Sequence, residues 1–275
     1  MQWDVQLPLL LALALTGAIL WSARRRSAAT AAGLPVPGAS DEEAAPQPGS
    51  AAESTRSRRI PRGLAAARPW AATLFPVLLA VLVVRAFVIE PYRVPTGSMS
   101  PTLLPGDYVL VSKFAYGLRL PVLGWRVLPL GEPQRGDVLV FEPPHAGKYF
   151  IKRVVGLPGD RIRYVDGELS VNGQRAAVWL DGNDDADDGV QQLREVLGGT
   201  PYLTQRVIGM GSREGEWLVP PESYFTLGDN RDMSEDSRYW GYVAGDRVVG
   251  RAVAIWAHKA PGWALPTLAR NGSIR

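Results

Sequence analysis

Ser98 and Lys152 are the residues of this chain whose types and settings best fit joint chemistry. Ser98 stands in Val94-Pro95-Thr96-Gly97-Ser98-Met99-Ser100-Pro101-Thr102-Leu103-Leu104-Pro105-Gly106-Asp107, a small hydroxyl on a turn loosened by glycine just after a long apolar run. Lys152 stands in Tyr149-Phe150-Ile151-Lys152-Arg153-Val154-Val155-Gly156, an apolar strand pattern that accommodates an ammonium poorly. Serine is a weak nucleophile until a neighbouring base takes its proton. The chain has two histidines, His145 and His258, both read as surface or structural residues, so the base is expected to be a carboxylate or a neutral lysine. An unperturbed lysine is neutral only about once in a few thousand molecules at pH 7, so catalysis needs surroundings that disfavour the charge. Keeping such an amine neutral costs roughly 3 to 4 kcal/mol, within reach of a desolvated group. Strand alternation sets Phe150 and Val154 on the face of Lys152. Arg153 is likewise flanked by Ile151 and Val155, so both faces read as apolar. Arginine cannot deprotonate, which leaves lysine as the usable base. The rivals Lys113, at the end of YVLVSKF, and Lys148, after Pro143-Pro144, read as solvated.

The elements that must position this pair follow from the hydropathy pattern. Gln6 to Trp21 is almost wholly apolar, and 3–22 is long enough for a membrane helix. Asp4 precedes it and Arg24-Arg25-Arg26 follow, the wrong polarity for a cleavable signal peptide. Residues 23–69 are rich in Ala, Pro, Ser and Gly, with Asp41-Glu42-Glu43 and Arg56, Arg58, Arg59, Arg62 and Arg68, and read as a disordered linker. Residues 70–89 form a second apolar run, with Pro76 inside it and Arg85 near its far end. Arginines at both ends of the linker put 23–69 in the cytoplasm and 90–275 outside. Ser98 lies nine residues beyond Ile89, about 30 Å when fully extended, so a site there works close to the outer leaflet. Apolar, Trp-bearing segments such as 121–125 and 254–256 either pack in the core or dip into the interface.

From Pro91 onward short β-prone runs are opened by Gly-Asp turns at Gly106-Asp107, Gly136-Asp137, Gly159-Asp160 and Gly245-Asp246, which read as hairpin starts. Residues 176–216 interrupt this pattern with an acidic run, Asp181 to Asp188, and with Gly198-Gly199, as an inserted subdomain or long loop. A calcium loop starting at Asp181 would need Gly at its sixth and Glu at its twelfth place, where Ala186 and Gln192 stand. The run reads as a solvated loop, and neither metal nor cofactor is expected.

Composition narrows the classes further. The 275 residues are 46% hydrophobic and 21% charged, with net charge +3. The basic residues cluster near the apolar runs and no base-reading module is present, so nucleic acid is not an expected partner. The absence of cysteine excludes disulfides, thiolate catalysis and thiolate zinc sites.

Four ordered segments closely resemble the motif boxes of bacterial type I signal peptidases: Pro95 to Leu103, Arg135 to Phe141, Tyr149 to Asp160, and Gly228-Asp229-Asn230-Arg231-Asp232-Met233-Ser234-Glu235-Asp236-Ser237-Arg238-Tyr239-Trp240-Gly241. The resemblance runs from the second apolar run to about Trp256. It implies a mainly β fold: two N-terminal transmembrane helices followed by an antiparallel β-rich extracytoplasmic catalytic domain. The activity implied is a serine endopeptidase of the bacterial inner membrane, cutting signal peptides from preproteins after small residues of Ala-x-Ala type, and working as a monomer. Ser98 would be the nucleophile and Lys152 the general base, with the Ser98 N–H and the Thr96 hydroxyl as oxyanion hole. The family often has serine where Thr96 stands, and a threonine hydroxyl donates equally well. Ser234 would hydrogen-bond the lysine, Asp236 and Arg238 would form a supporting ion pair, and Gly228, Asp229 and Asn230 would shape the turn beneath the site. Two other classes fit parts of the pattern: another Ser/Lys peptidase, such as conjugation-maturation proteases or self-cleaving repressors, and a non-catalytic membrane-anchored β-domain scaffold.

Overall fold

The computed structural model describes residues 11–21, 62–83, 89–119, 126–144, 147–181 and 189–274. The chain divides into two units, Met1–Val84 and Arg85–Arg275. In the first unit residues 11–21 are helical (α1) and Arg62–Val83 form a second helix (α2) with Pro69 and Pro76 inside it. The helix therefore takes in 62–69, which composition and charge assign to the linker. Its Leu64-Ala65-Ala66-Ala67 stretch carries high helix propensity, outweighing the flanking Gly63 and Pro69. Among the described residues no helix is long and apolar enough to cross a membrane. Residues 1–10 and 84–88, at the outer ends of the two predicted spans, and most of the linker lie outside the described residues.

The second unit is built of antiparallel strands. In chain order these are β1 (Ile89–Arg93), β2 (Asp107–Ser112), β3 (Leu118–Arg119), β4 (Arg126–Leu128), β5 (Val138–Phe141), β6 (Phe150–Gly156), β7 (Arg161–Val165), β8 (Glu168–Val171) and β9 (Gln174–Arg175). They continue with β10 (Ala177–Leu180), β11 (Val190–Leu197), β12 (Thr200–Val207), β13 (Gly215–Leu218), β14 (Ser223–Leu227), β15 (Val243–Ala244), β16 (Val248–His258) and β17 (Gly272–Ser273). One short helix, α3 (Ser237–Trp240), lies between β14 and β15. An eight-stranded sheet in the order β1-β2-β16-β5-β6-β14-β15, with β17 on β16, carries Lys152 on β6, and Ser98 lies on the connection between β1 and β2. Beside it are a three-stranded sheet β10-β11-β12, a four-stranded sheet β13-β7-β8-β9 and the β3-β4 ribbon.

Three of the four Gly-Asp turns share one construction. In Leu104–Asp107, Gln134–Asp137 and Leu157–Asp160 the aspartate N–H donates to the carbonyl three residues back, at 3.0, 3.1 and 3.0 Å. The aspartate carboxylate accepts that same residue's N–H, at 2.8, 2.9 and 2.6 Å. The glycine at the third position has φ of +97°, +93° and +85°, the left-handed conformation this turn demands and a side chain resists. Gly245-Asp246 instead opens a 3-10 turn. The turns start strands as expected without making tight hairpins: β6 and β7, on either side of Leu157–Asp160, belong to different sheets.

The main sheet is covered on both faces. Val138, Val140 and Ile151 pack with Met99, Leu103, Val109 and Val111, while Leu139, Phe141 and Val154 pack with Tyr224, Val243 and Val248. A third cluster, holding Val155, Phe225 and Leu227, joins Ile162, Tyr164 and Leu169 to Leu197 and Tyr202 of β11 and β12. Within 176–216 the described residues thus include strands, of which β11 and β12 send Leu197 and Tyr202 into the core while β10 stays exposed. Asp181 pairs with Arg194 at 2.7 Å, and 182–188, the rest of the acidic run, lie outside the described residues.

Candidate active site

Buried neighbours fix the turn that carries Ser98. Met99 and Leu103 are 1% and 0% exposed, and burying each contributes about 1.5–3 kcal/mol toward holding the turn in place. Ser100 N–H donates to the Gly97 carbonyl and Leu103 N–H to that of Met99, which closes the turn with Ser98 half-buried at its rim. From the other side, the Asn230 N–H donates to the Ser98 carbonyl at 3.2 Å. The Asn230 side-chain amide donates to the Gly97 carbonyl at 3.1 Å.

Lys152 enters from β6, where it pairs with Leu139 of β5. The strand is buried on both faces from Lys152 onward, as the sequence pattern implied. The lysine is 3% exposed, and its Nζ donates to Ser98 Oγ at 2.5 Å. Burial pulls the ammonium down to about 8, against the opposing pull of Asp236, Asp229 and Glu235; desolvation outweighs the three carboxylates together, and the Arg238 charge adds to it. At pH 7 about one molecule in ten then carries a neutral amine, several-hundredfold more than an exposed lysine would. The Thr96 hydroxyl, on the exposed lip of the turn, donates to Ser98 Oγ at 3.4 Å. Lys113 is ion-paired with Glu90 at 2.7 Å and Lys148 is exposed, so neither rival approaches the serine. His258 is held by Asp107 in a cluster with Arg270, a structural role, and His145 lies outside the described residues.

The residues after β14 form the floor. Gly228 follows Leu227, whose partner on β6 is Arg153. A side chain at Gly228 would begin 2.1 Å from Ser234 Oγ and 2.4 Å from the Ser98 carbonyl oxygen, so only glycine lets the strand pass beneath the serine. Asp236 and Arg238 form the expected ion pair, fully buried and bidentate at 2.8 Å on both arms. Asp236 also accepts the Gly228 N–H at 3.0 Å, tying the pair to the floor. One expectation is corrected here. Ser234 Oγ is buried without a hydrogen-bond partner among the described residues and makes no bond to Lys152. It is packed against Gly228, while the lysine amine reaches for Ser98.

Two further buried ion pairs join residues far apart in the sequence. Arg153, on the strand beside Lys152, clasps Asp229 through Nε at 2.8 Å and Nη2 at 2.7 Å, and its guanidinium stacks 4.1 Å from the Tyr202 ring centre. Thr102, on the serine turn, donates to the same Asp229 carboxylate at 2.6 Å. Arg231 clasps Glu195 of β11 with two bonds of 2.8 Å. The signal available in sequence was a permanent charge, Arg153, on a doubly apolar strand: it must have a partner. Which partner could not be read, because Arg153 and Asp229 are 76 residues apart.

Breaking one side of such a pair strands a charge. Arg238→Met, which leaves the Asp236 carboxylate buried alone, is expected to cost about 3–5 kcal/mol of unfolding free energy, and Asp236→Asn together with Arg238→Met less than the two single changes summed. Denaturant midpoints of the three proteins check this.

Arranged in this way, the site offers a hydroxyl in contact with a buried, low-pKa amine at an open rim, the layout for nucleophilic attack on a carbonyl. Among the described residues no cluster of side chains suited to holding a metal is present. Residues 67–257 match the family model described as signal peptidase, peptidase S26. The chain is 46% identical over 199 residues to a signal peptidase I of Pseudomonas aeruginosa, covering 67% of this chain and 70% of that one. It is 43% identical over 220 residues to a signal peptidase I of Pseudomonas fluorescens, covering 74% and 78%. A solved signal peptidase I from Enterococcus faecalis aligns at 30% identity over 44% of this chain and 97% of the other, with a TM-score of 0.31.

Proposed function

Because the chain belongs to the peptidase S26 family of signal peptidases and is a serine endopeptidase of that kind, we propose that it removes N-terminal signal peptides from exported preproteins with Ser98 as nucleophile and Lys152 as general base. The observation that carries this reading is the 2.5 Å approach of a nine-tenths-buried lysine amine to a serine hydroxyl at the rim of the fold. Neutral Lys152 accepts the Ser98 proton as Oγ attacks the scissile carbonyl. The Ser98 N–H and the Thr96 hydroxyl stabilise the oxyanion. Lys152 then protonates the departing amine and, neutral again, draws a proton from the water that releases the acyl group. Asp236, Arg238, Gly228, Asp229 and Asn230 hold the floor against which serine and lysine meet.

The apolar runs within 3–22 and 70–89, with arginines at both ends of the intervening segment, support membrane anchoring with the catalytic domain on the outer face. The substrate is a preprotein whose residues before the cut are small, of Ala-x-Ala type, presented at the bilayer surface, and the enzyme acts as a monomer.

Full-length protein in detergent with lipid, given a preprotein bearing an Ala-x-Ala site, is expected to yield one new N-terminus directly after that site. Since the reactive form is the neutral amine, kcat/KM should rise with pH through about 8 and fall about tenfold per unit below it. Cutting elsewhere, no cutting, or an acid optimum would contradict the proposal.

A further inference from the structure

The insert at 176–216 enters the site through two buried side chains. Glu195 of β11 is 1% exposed and takes both arms of Arg231, itself 1% exposed. Tyr202 of β12 donates its hydroxyl to the same carboxylate. Burial of the phenol pushes its pKa up, so it stays a donor at any working pH.

From Arg231 two routes lead to the catalytic serine. The first runs along the backbone. Arg231 N–H donates to the Gln205 carbonyl and Gln205 N–H to the Asp229 carbonyl, both at 2.9 Å, which pins the 229–231 loop along β12. The middle residue of that loop, Asn230, holds the Ser98 and Gly97 carbonyls. The second route runs through side chains: the Arg231 carbonyl accepts Arg238 Nη2 at 2.6 Å, Arg238 clasps Asp236, and Asp236 holds the Gly228 N–H. The Tyr202 ring adds a third tie by stacking on Arg153, the partner of Asp229.

A buried ion pair is a weak source of stability, since desolvating both charges consumes most of their attraction and an apolar pair of the same volume often does as well. What this pair supplies is geometry: a bidentate arginine fork fixes position and angle together. We propose that Glu195 and Tyr202 of the insert are positioning residues for hydrolysis, acting through Arg231 to set the 228–231 loop against which the Ser98 carbonyl rests. Through these two side chains the insert bears on catalysis. This rests on the peptidase reading given above.

The test compares full-length wild type, Glu195→Gln, Tyr202→Phe and Arg194→Ala in detergent with lipid, measuring kcat, KM and thermal midpoint with one preprotein. Glu195→Gln is expected to lower kcat about tenfold to a hundredfold with KM within about twofold, because a shift near 1 Å in a reacting group has that effect. Tyr202→Phe keeps the ring and should lower kcat several-fold with the same KM. Arg194→Ala, on the same strand but paired at the surface with Asp181, should match wild type. If Glu195→Gln fails to fold, the outcome is read from Tyr202→Phe. Wild-type kcat in a folded Glu195→Gln or Tyr202→Phe, a loss matching only the unfolded fraction, or a rise in KM alone would overturn the inference. A wild type that cuts nothing would overturn the peptidase reading itself and this inference with it.

Discussion

Lys152→Arg is expected to lower kcat/KM by about 10⁴-fold, roughly 5.5 kcal/mol of transition-state stabilisation, while leaving a folded protein. The change keeps the positive charge and approximate volume, and so isolates the one property that arginine lacks. A guanidinium stays protonated at every working pH, and so cannot take the Ser98 proton. If Lys152 were only a satisfied core cation, arginine would serve nearly as well and the effect would lie in stability. Lys152→Met sharpens the distinction. Removing an amine that desolvation already disfavours should hold or raise the thermal midpoint while activity is lost to the same degree, the trade expected of a strained functional group. Steady-state cleavage of a preprotein at pH 9, where the wild-type amine is mostly neutral, measures the difference at its largest.

Gly228→Ala is the second large effect, and it works through sterics. Its Cβ would stand 2.4 Å from the Ser98 carbonyl oxygen and 2.1 and 2.5 Å from Oγ and Cβ of Ser234, and the nearest of these are backbone or short side-chain atoms with little room to give. The turn must therefore move by an appreciable fraction of an ångström. Because Asn230 holds the same carbonyl, the displacement passes directly to Ser98. A drop in kcat of about 10²-fold is expected, with overpacking costing about 1–3 kcal/mol of stability. Gly228→Ala combined with Ser234→Gly removes two of the three close contacts and should recover part of the stability and little of the rate. Parallel kcat and denaturant measurements on the single and double variants separate the two.

The burial of Lys152 and the turn at Ser98 were legible in sequence because both are local. A lysine in a run of aliphatic residues announces burial, and prolines and glycines around Ser98 announce a turn; both are properties of adjacent residues. The Gly-Asp turns were legible for the same reason, although the strands they connect were not, since a turn fixes local direction and says nothing of which sheet the next strand joins. The partners in the Arg153–Asp229 and Arg231–Glu195 pairs were illegible because they are distant in sequence: 76 residues separate the first two and 36 the second. The insert did carry a readable sign. In β11 the inward positions are Leu193, Glu195 and Leu197, and a glutamate on the inward face of an alternating strand demands a buried cation. The acidic run beside it signals surface charge. At the N-terminal end, Arg62 and Arg68 marked residues 62–69 as linker by charge, while the alanines between them carried the helix.

The most direct test of the central claim is acid-quenched mass analysis of the enzyme during turnover of an activated ester of a peptide ending in an Ala-x-Ala sequence. An ester leaving group makes acylation faster than release, so the covalent intermediate accumulates. The account predicts one acyl group on the peptide containing Ser98, formed at a rate that rises with pH through about 8 and absent from Ser98→Ala. An adduct on another residue, or undiminished hydrolysis of the ester by Ser98→Ala, would contradict it.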